Sequence, residues 1–204
     1  MKFEAIIFIC LCWSYSSAQD TLNPCPKDGI CPYHEVSLKN HYQLNIGDTI
    51  NNRRTIRLLG PGTDTIIRSV NVKNSNASLG WLVGDYEDVF VLYSTYSGNY
   101  SDPQPTTVNV FQKSTGTLLL SGPLVEYINS ENAILFIDYN QQENLGLFDL
   151  SNLKIEMFGS LDTPCESWWR CIKYNYVTEK DVTVEYRDWN TNTKRKIYIR
   201  QHRL

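Results

Sequence analysis

The chain has 204 residues, with 19 basic and 22 acidic side chains, a net charge of −3 and a pI near 5.6. That balance supplies no basic field for nucleic acid or anionic lipid, and it excludes both as expected partners. With 13 Tyr and 5 Trp against 2 Met, an aromatic, β-branched, Asn/Thr/Ser-rich composition favours sheet over helix.

In chain order, residues 1–18 read as an export signal. Lys2 gives a small positive start, blunted by Glu4, and an apolar stretch follows from Ala5 to Trp13. Ser16 and Ala18 then occupy the −3 and −1 positions of a small-x-small cleavage site, so the mature chain is expected to begin at Gln19. About ten apolar residues fall short of the roughly 20 that cross a hydrocarbon core, which favours cleavage over anchoring. Cys10 and Cys12 leave with the signal, and neither has the setting of a lipoprotein cysteine. No later segment is long and apolar enough to span a bilayer. The expected location is therefore secreted or periplasmic.

Residues 19–47 follow as an arm with Pro24, Pro26 and Pro32, little alternation, and Cys25 and Cys31. Residues 48–204 are expected to form a single all-β domain. Its late cysteines, Cys165 and Cys171, repeat the spacing of the first two. Export puts all four in an oxidising compartment, where the simplest pairing is Cys25–Cys31 and Cys165–Cys171. A bridge between the arm and the late loop is the rival connectivity. Each short loop gains only about 2–2.5 kcal/mol on the chain-entropy model, so local bridges would shape loops more than hold the domain. Zinc ribbons use tighter cysteine spacings, and His34 beside Cys31 does not complete a ligand set.

Arg54–Leu59 and Thr65–Val72 read as the first clear strands of the domain. Three strand–turn–strand segments then begin at Val108, Leu145 and Val182, 37 residues apart. They run to Gly122, Gly159 and Tyr198, and a weaker copy covers Val70 to Gly84. Ser114-Thr115-Gly116, Ser151-Asn152 and Asn190-Thr191-Asn192 supply the residues that hairpin turns use. A further strand precedes each clear hairpin, at Asp88–Tyr96, Asn132–Tyr139 and Arg170–Val177, and Pro123–Ile128 offers a fourth strand to one unit. No stretch sustains apolar spacing at 3.6, so helix is limited to one short turn. The fold class is thus all-β, a repeated antiparallel meander of about 37 residues. Two architectures fit: propeller-like sheets, or a single sandwich or barrel whose regular strand lengths imitate a repeat. No blade signature such as a WD dipeptide after a strand, an Asp-box or a kelch double glycine is present.

Chemistry-bearing patterns are sparse. The histidines His34, His41 and His202 sit in the arm or near the end, and no G-x-S-x-G elbow occurs. Asp85, Glu87, Asp88 and Asp138 are the carboxylates that a carbohydrate-active hydrolase would need to pair across a cleft. A solvated acidic turn is the plainer account of the first three. No EF-hand loop or glycine-rich phosphate cradle is present, so no cofactor or metal is expected. The strongest recognition feature is Trp168, Trp169 and Arg170, enclosed between Cys165 and Cys171. Trp, Tyr and Arg dominate binding hot spots, and a closed loop lowers the cost of ordering them. The plainer alternative puts one of the two tryptophans in the core. A tyrosine-rich strand end and loop at Tyr93, Tyr96 and Tyr100 is a second candidate. Asn76-Ala77-Ser78 and Asn99-Tyr100-Ser101 match N-glycosylation acceptors in expected turns. These features point to a binding protein for a protein or glycan partner, with the hydrolase as the alternative.

Overall fold

The computed structural model describes residues 34–71, 79–95, 105–128, 132–138, 144–160, 171–178, 180–187 and 193–200. All the strands pair antiparallel, and they form three sheets. The first joins β1 (His34–Ser37), β2 (Gln43–Ile50), β3 (Arg53–Gly60) and β4 (Thr63–Asn71) as a meander. A 3-10 turn, Lys39–His41, links β1 to β2. Residues 34–47, read from the sequence as the end of an arm, thus supply β1 and much of β2. Gly47 at φ 88° and a register shift between Ile46 and Asp48 interrupt the alternation there.

The central sheet runs in order through β5 (Trp81–Asp85), β6 (Val89–Ser94), β7 (Thr107–Gln112), β8 (Leu118–Ile128), β9 (Ala133–Asp138), β10 (Asn144–Asp149) and β11 (Lys154–Ser160). The last sheet holds β12 (Ile172–Val177), β13 (Asp181–Arg187) and β14 (Thr193–Ile199). The three clear hairpins expected from the 37-residue spacing are β7/β8, β10/β11 and β13/β14. Val70–Gly84 is not a fourth hairpin: β4 pairs with β3, whereas β5 pairs with β6. The expected turn at Ser151-Asn152 is tied by Asp149, whose carboxylate accepts from the Ser151 amide at 2.8 Å and the Asn152 side chain at 2.7 Å. Residues 190–192 lie outside the described residues.

Strand alternation explains the layering, because neighbouring residues face opposite sides of a sheet. In β6, Phe90 and Leu92 pack toward Leu44, Ile46, Ile56 and Leu58 of the first sheet. Val89 and Val91 face the other way, toward Ile134, Phe136 and Phe148. In β9, Leu135 and Ile137 turn from those residues to meet Val182, Val184, Tyr186 and Tyr198 of the last sheet. Interior strands are therefore buried on both faces, as in the run of buried residues along β9. Each fully buried Leu, Ile or Phe contributes about 1.5–3 kcal/mol relative to exposure.

The long strand β8 makes this layering possible. Its first half pairs with β7, from Phe111 opposite Leu118 to Thr107 opposite Pro123. Its second half pairs with β9, from Leu124 opposite Phe136 to Ile128 opposite Ala133. At the changeover, a Cβ on Gly122 would stand 2.7 Å from the Ile137 carbonyl oxygen, so only glycine admits that approach. Four layers result: the first sheet, the two halves of the central sheet, and the last sheet. Strand order is linear in every sheet, and no sheet closes into a barrel among the described residues. The three cores join successive layers, and none links the first sheet to the last to close a propeller ring.

Candidate functional site

The residues singled out first, Trp168, Trp169, Arg170, Tyr96 and Tyr100, lie outside the described residues, as do Cys25, Cys31 and Cys165. Cys171 is described and only 4% exposed, in the core between the central and last sheets. Of the second aromatic candidate, Tyr93 is described, and it belongs to a larger cluster than the sequence indicated.

Tyr93 on β6 lies directly opposite Trp81 on β5, and their rings meet edge to face at 6.2 Å between centroids. Tyr86, just beyond β5, and Tyr127, in the second half of β8, pack against the same core. Both approach Gly84: a Cβ there would stand 2.9 Å from the Tyr86 ring and 3.0 Å from the Tyr127 hydroxyl. The missing side chain is thus what lets two tyrosines converge beside β5. The cluster remains half-buried, with exposed Glu126 adjoining it. Burial pushes the Tyr93 hydroxyl up to about 12, with the charges of Glu126 and Tyr86 adding to the effect. Burial also raises Tyr86. Both phenols therefore stay protonated through the neutral range and can donate hydrogen bonds.

A buried ion pair fixes the turn that carries Tyr86. The Lys113 ammonium, on the turn after β7, lies 2.7 Å from Asp85 Oδ1 as an ion pair outside hydrogen-bond angles. It also donates to the Tyr86 carbonyl and, at 3.3 Å, to the Lys39 carbonyl. The other Asp85 oxygen accepts from the Lys39 amide at 2.8 Å. Glu87 adds a second tie, since Asn40 Nδ2 donates to both its carbonyl and its carboxylate at 3.0 Å. Two of the carboxylates considered for hydrolysis therefore bind the 3-10 turn of the first sheet to the β5–β6 connection. Asp138 lies at the end of β9.

Among the described residues, no group of three or more His, Cys, Asp or Glu side chains is placed to hold a metal ion. None of the described helices is long and apolar enough to cross a membrane. No family model matches the chain, and neither does any curated protein or solved structure.

Trp81, Tyr86 and Tyr127 escaped the sequence reading because they converge from three separate strand ends. The one local signal was Trp81, at a strand start and near the tyrosine-rich run that leads to Tyr93 and Tyr96.

Proposed function

We propose that this chain is a secreted or periplasmic binding protein, non-enzymatic, that recognises a protein or glycan partner through aromatic side chains. The single observation that carries the reading is the half-buried cluster of Trp81, Tyr86, Tyr93 and Tyr127, held in place by Gly84 and the Lys113–Asp85 pair. Large aromatics with polar edges suit both partner classes: they stack on sugar faces, or fill pockets at a protein interface. A fixed turn reduces the ordering cost of binding. Tyr96 and Tyr100, which come after β6 in sequence, belong to the same proposed recognition role. Trp168, Trp169 and Arg170 form a second aromatic loop, closed by a Cys165–Cys171 bridge, with Cys25–Cys31 shaping the N-terminal segment. The layers act as blade-like units in an open, propeller-like stack.

The test is affinity capture from the envelope or secretome alongside a glycan array, using the mature chain and its Trp81→Ala, Tyr127→Ala, Trp168→Ala and Trp169→Ala variants. A bound glycan or protein whose affinity drops at least tenfold in one or more folded variants is expected. Affinity that is unchanged in all four sinks the proposal, and turnover of a bound glycan sinks its non-enzymatic part.

A further inference from the structure

We propose that the polar cavity where the first and central sheets meet is a glycan subsite that takes one neutral sugar ring. The choice of a glycan rests on the binding-protein reading above, but the cavity itself is distinct from the aromatic cluster. Four connections build it. Asn40 comes from the 3-10 turn with Tyr42 just after it, Pro61 lies between β3 and β4, Glu87 and Asp88 lie between β5 and β6, and Lys113 follows β7. The volume is about 260 Å³, below the roughly 300–1,000 Å³ of pockets that enclose drug-sized ligands. That size suits a single ring at the end or side of a longer chain. The β5–β6 connection also carries Tyr86 into the aromatic cluster, so the polar and aromatic sites share one turn.

The walls are fixed by contacts already in place. Asn40 and His41 both hold φ at 62°, in the left-handed region that residues with a Cβ seldom adopt. Such backbone persists only where its surroundings over-determine it. Here Asn40 Nδ2 donates to the Glu87 carbonyl and carboxylate, both at 3.0 Å. The Lys113 ammonium donates to the Lys39 carbonyl at 3.3 Å, and the Thr63 hydroxyl to the Ser114 carbonyl at 2.6 Å. Gly60 does for Tyr42 what Gly84 does for Tyr86: a Cβ there would collide with the Tyr42 ring, so bare backbone seats the ring. A wall set before binding reduces the ordering cost.

The lining selects the ligand. Tyr42 and Pro61 offer ring surfaces that pack on the C–H face of a sugar. The Glu87 and Asp88 carboxylates accept hydrogen bonds from hydroxyl groups, and such charge-assisted bonds are the strong ones. Asp88 is held through its backbone carbonyl, which accepts from the Lys113 amide at 2.9 Å, while the residue stays exposed. The exposed Ser114 beside it adds a hydroxyl that donates or accepts. Both signs of charge line the cavity, since Lys113 is part of the wall and its partner Asp85 is not. An anionic sugar, sulfate or phosphate therefore meets Glu87 and Asp88, and a cation meets the Lys113 ammonium. A neutral ring of hydroxyl groups avoids both conflicts.

The probe is a glycan array of neutral, acidic and amino-sugar structures, screened with the mature chain. Neutral glycans should bind. Calorimetric titration with the strongest of them, as a free oligosaccharide, should show at least tenfold weaker binding for Asp88→Ala and for Tyr42→Leu. The same oligosaccharide should shift the amide NMR signals of Glu87, Asp88 and Ser114. Asp88 is exposed, so its variant is expected to fold, and matched thermal melts check both; Asp88→Ala alone decides where Tyr42→Leu melts early. Affinity lost in Trp81→Ala but in neither cavity variant overturns the proposal and leaves the aromatic-cluster reading standing. An array that binds no neutral glycan, or that prefers acidic or amino sugars, overturns it as well.

Discussion

The Lys113 ammonium lies 2.7 Å from the Asp85 carboxylate, with only 1% of the lysine side chain exposed to solvent. It supports two backbone carbonyls as well, one beside β5 and one in the turn of the first sheet. Breaking a buried pair leaves an uncompensated charge, at a cost of about 3–5 kcal/mol. Lys113→Met should therefore lower the denaturation midpoint strongly in urea. The double variant Lys113→Met/Asp85→Leu should recover part of the loss, because it removes both charges. A double variant less stable than Lys113→Met alone contradicts this account.

Gly122→Ala tests the changeover in β8. The added methyl group would meet the Ile137 carbonyl oxygen at 2.7 Å, and backbone gives way less easily than a flexible side chain. Overpacking of this kind typically costs about 1–3 kcal/mol. Calorimetry should show a lower melting temperature, and Gly122→Val should lower it further. Wild-type stability in both variants would mean that the two layers separate more readily than the structure indicates.

Tyr93 predicts a pH dependence with a definite sign. Its folded pKa of about 12 lies above the ordinary phenol value of 10.0, so the native state holds the proton more tightly. The stabilisation is fully present below pH 10 and is lost as pH rises from about 10 to about 12. Stability measured across that interval should fall, and Tyr93→Phe should flatten the slope without abolishing it, since Tyr86 is shifted the same way. Ultraviolet titration should show a phenol ionising late in the wild type that is missing from the variant.

Asp64 provides the contrasting case. Its hydrogen bond from Arg57 holds the carboxyl below its usual value, although the group is fully exposed. Solvent and salt screen such pairs, and many contribute little. Asp64→Asn should leave the melting temperature nearly unchanged in physiological salt, while NMR titration of the wild type shows the depressed carboxyl. Any stability the pair does give is present above the unfolded pKa and disappears as pH falls through the folded one. A large melting shift in Asp64→Asn contradicts this.

The β7/β8, β10/β11 and β13/β14 hairpins were readable because their strands and turns have nearly equal lengths, so Val108, Leu145 and Val182 recur at one spacing. In the first sheet Arg54–Leu59 and Thr65–Val72 are readable as β3 and β4, whereas β1 and β2 are not. The longer connection from β4 to β5 sets that sheet apart from the 37-residue spacing. Gly47 and its bulge also disguise the alternation of Leu44 and Ile46. At the candidate site, Tyr93 carried a local signal, whereas Lys113 carried none. In sequence it is a lysine beside a Ser-Thr-Gly turn, where a solvated cation is the ordinary expectation. Only the approach of the first sheet's turn and of Asp85 buries it.

Because β8 serves two layers, the molecule has no seam at its centre. Opening β8 from β7 or from β9 disturbs the core around Leu120, Ile134 and Phe136 that both halves share. Strands β5 to β11 should accordingly lose amide protection together in native-state exchange, as one cooperative unit. The first and last sheets hold the remainder by face packing and can open in steps of their own. A hinge, circular permutation or domain insertion therefore does not belong between the halves of β8.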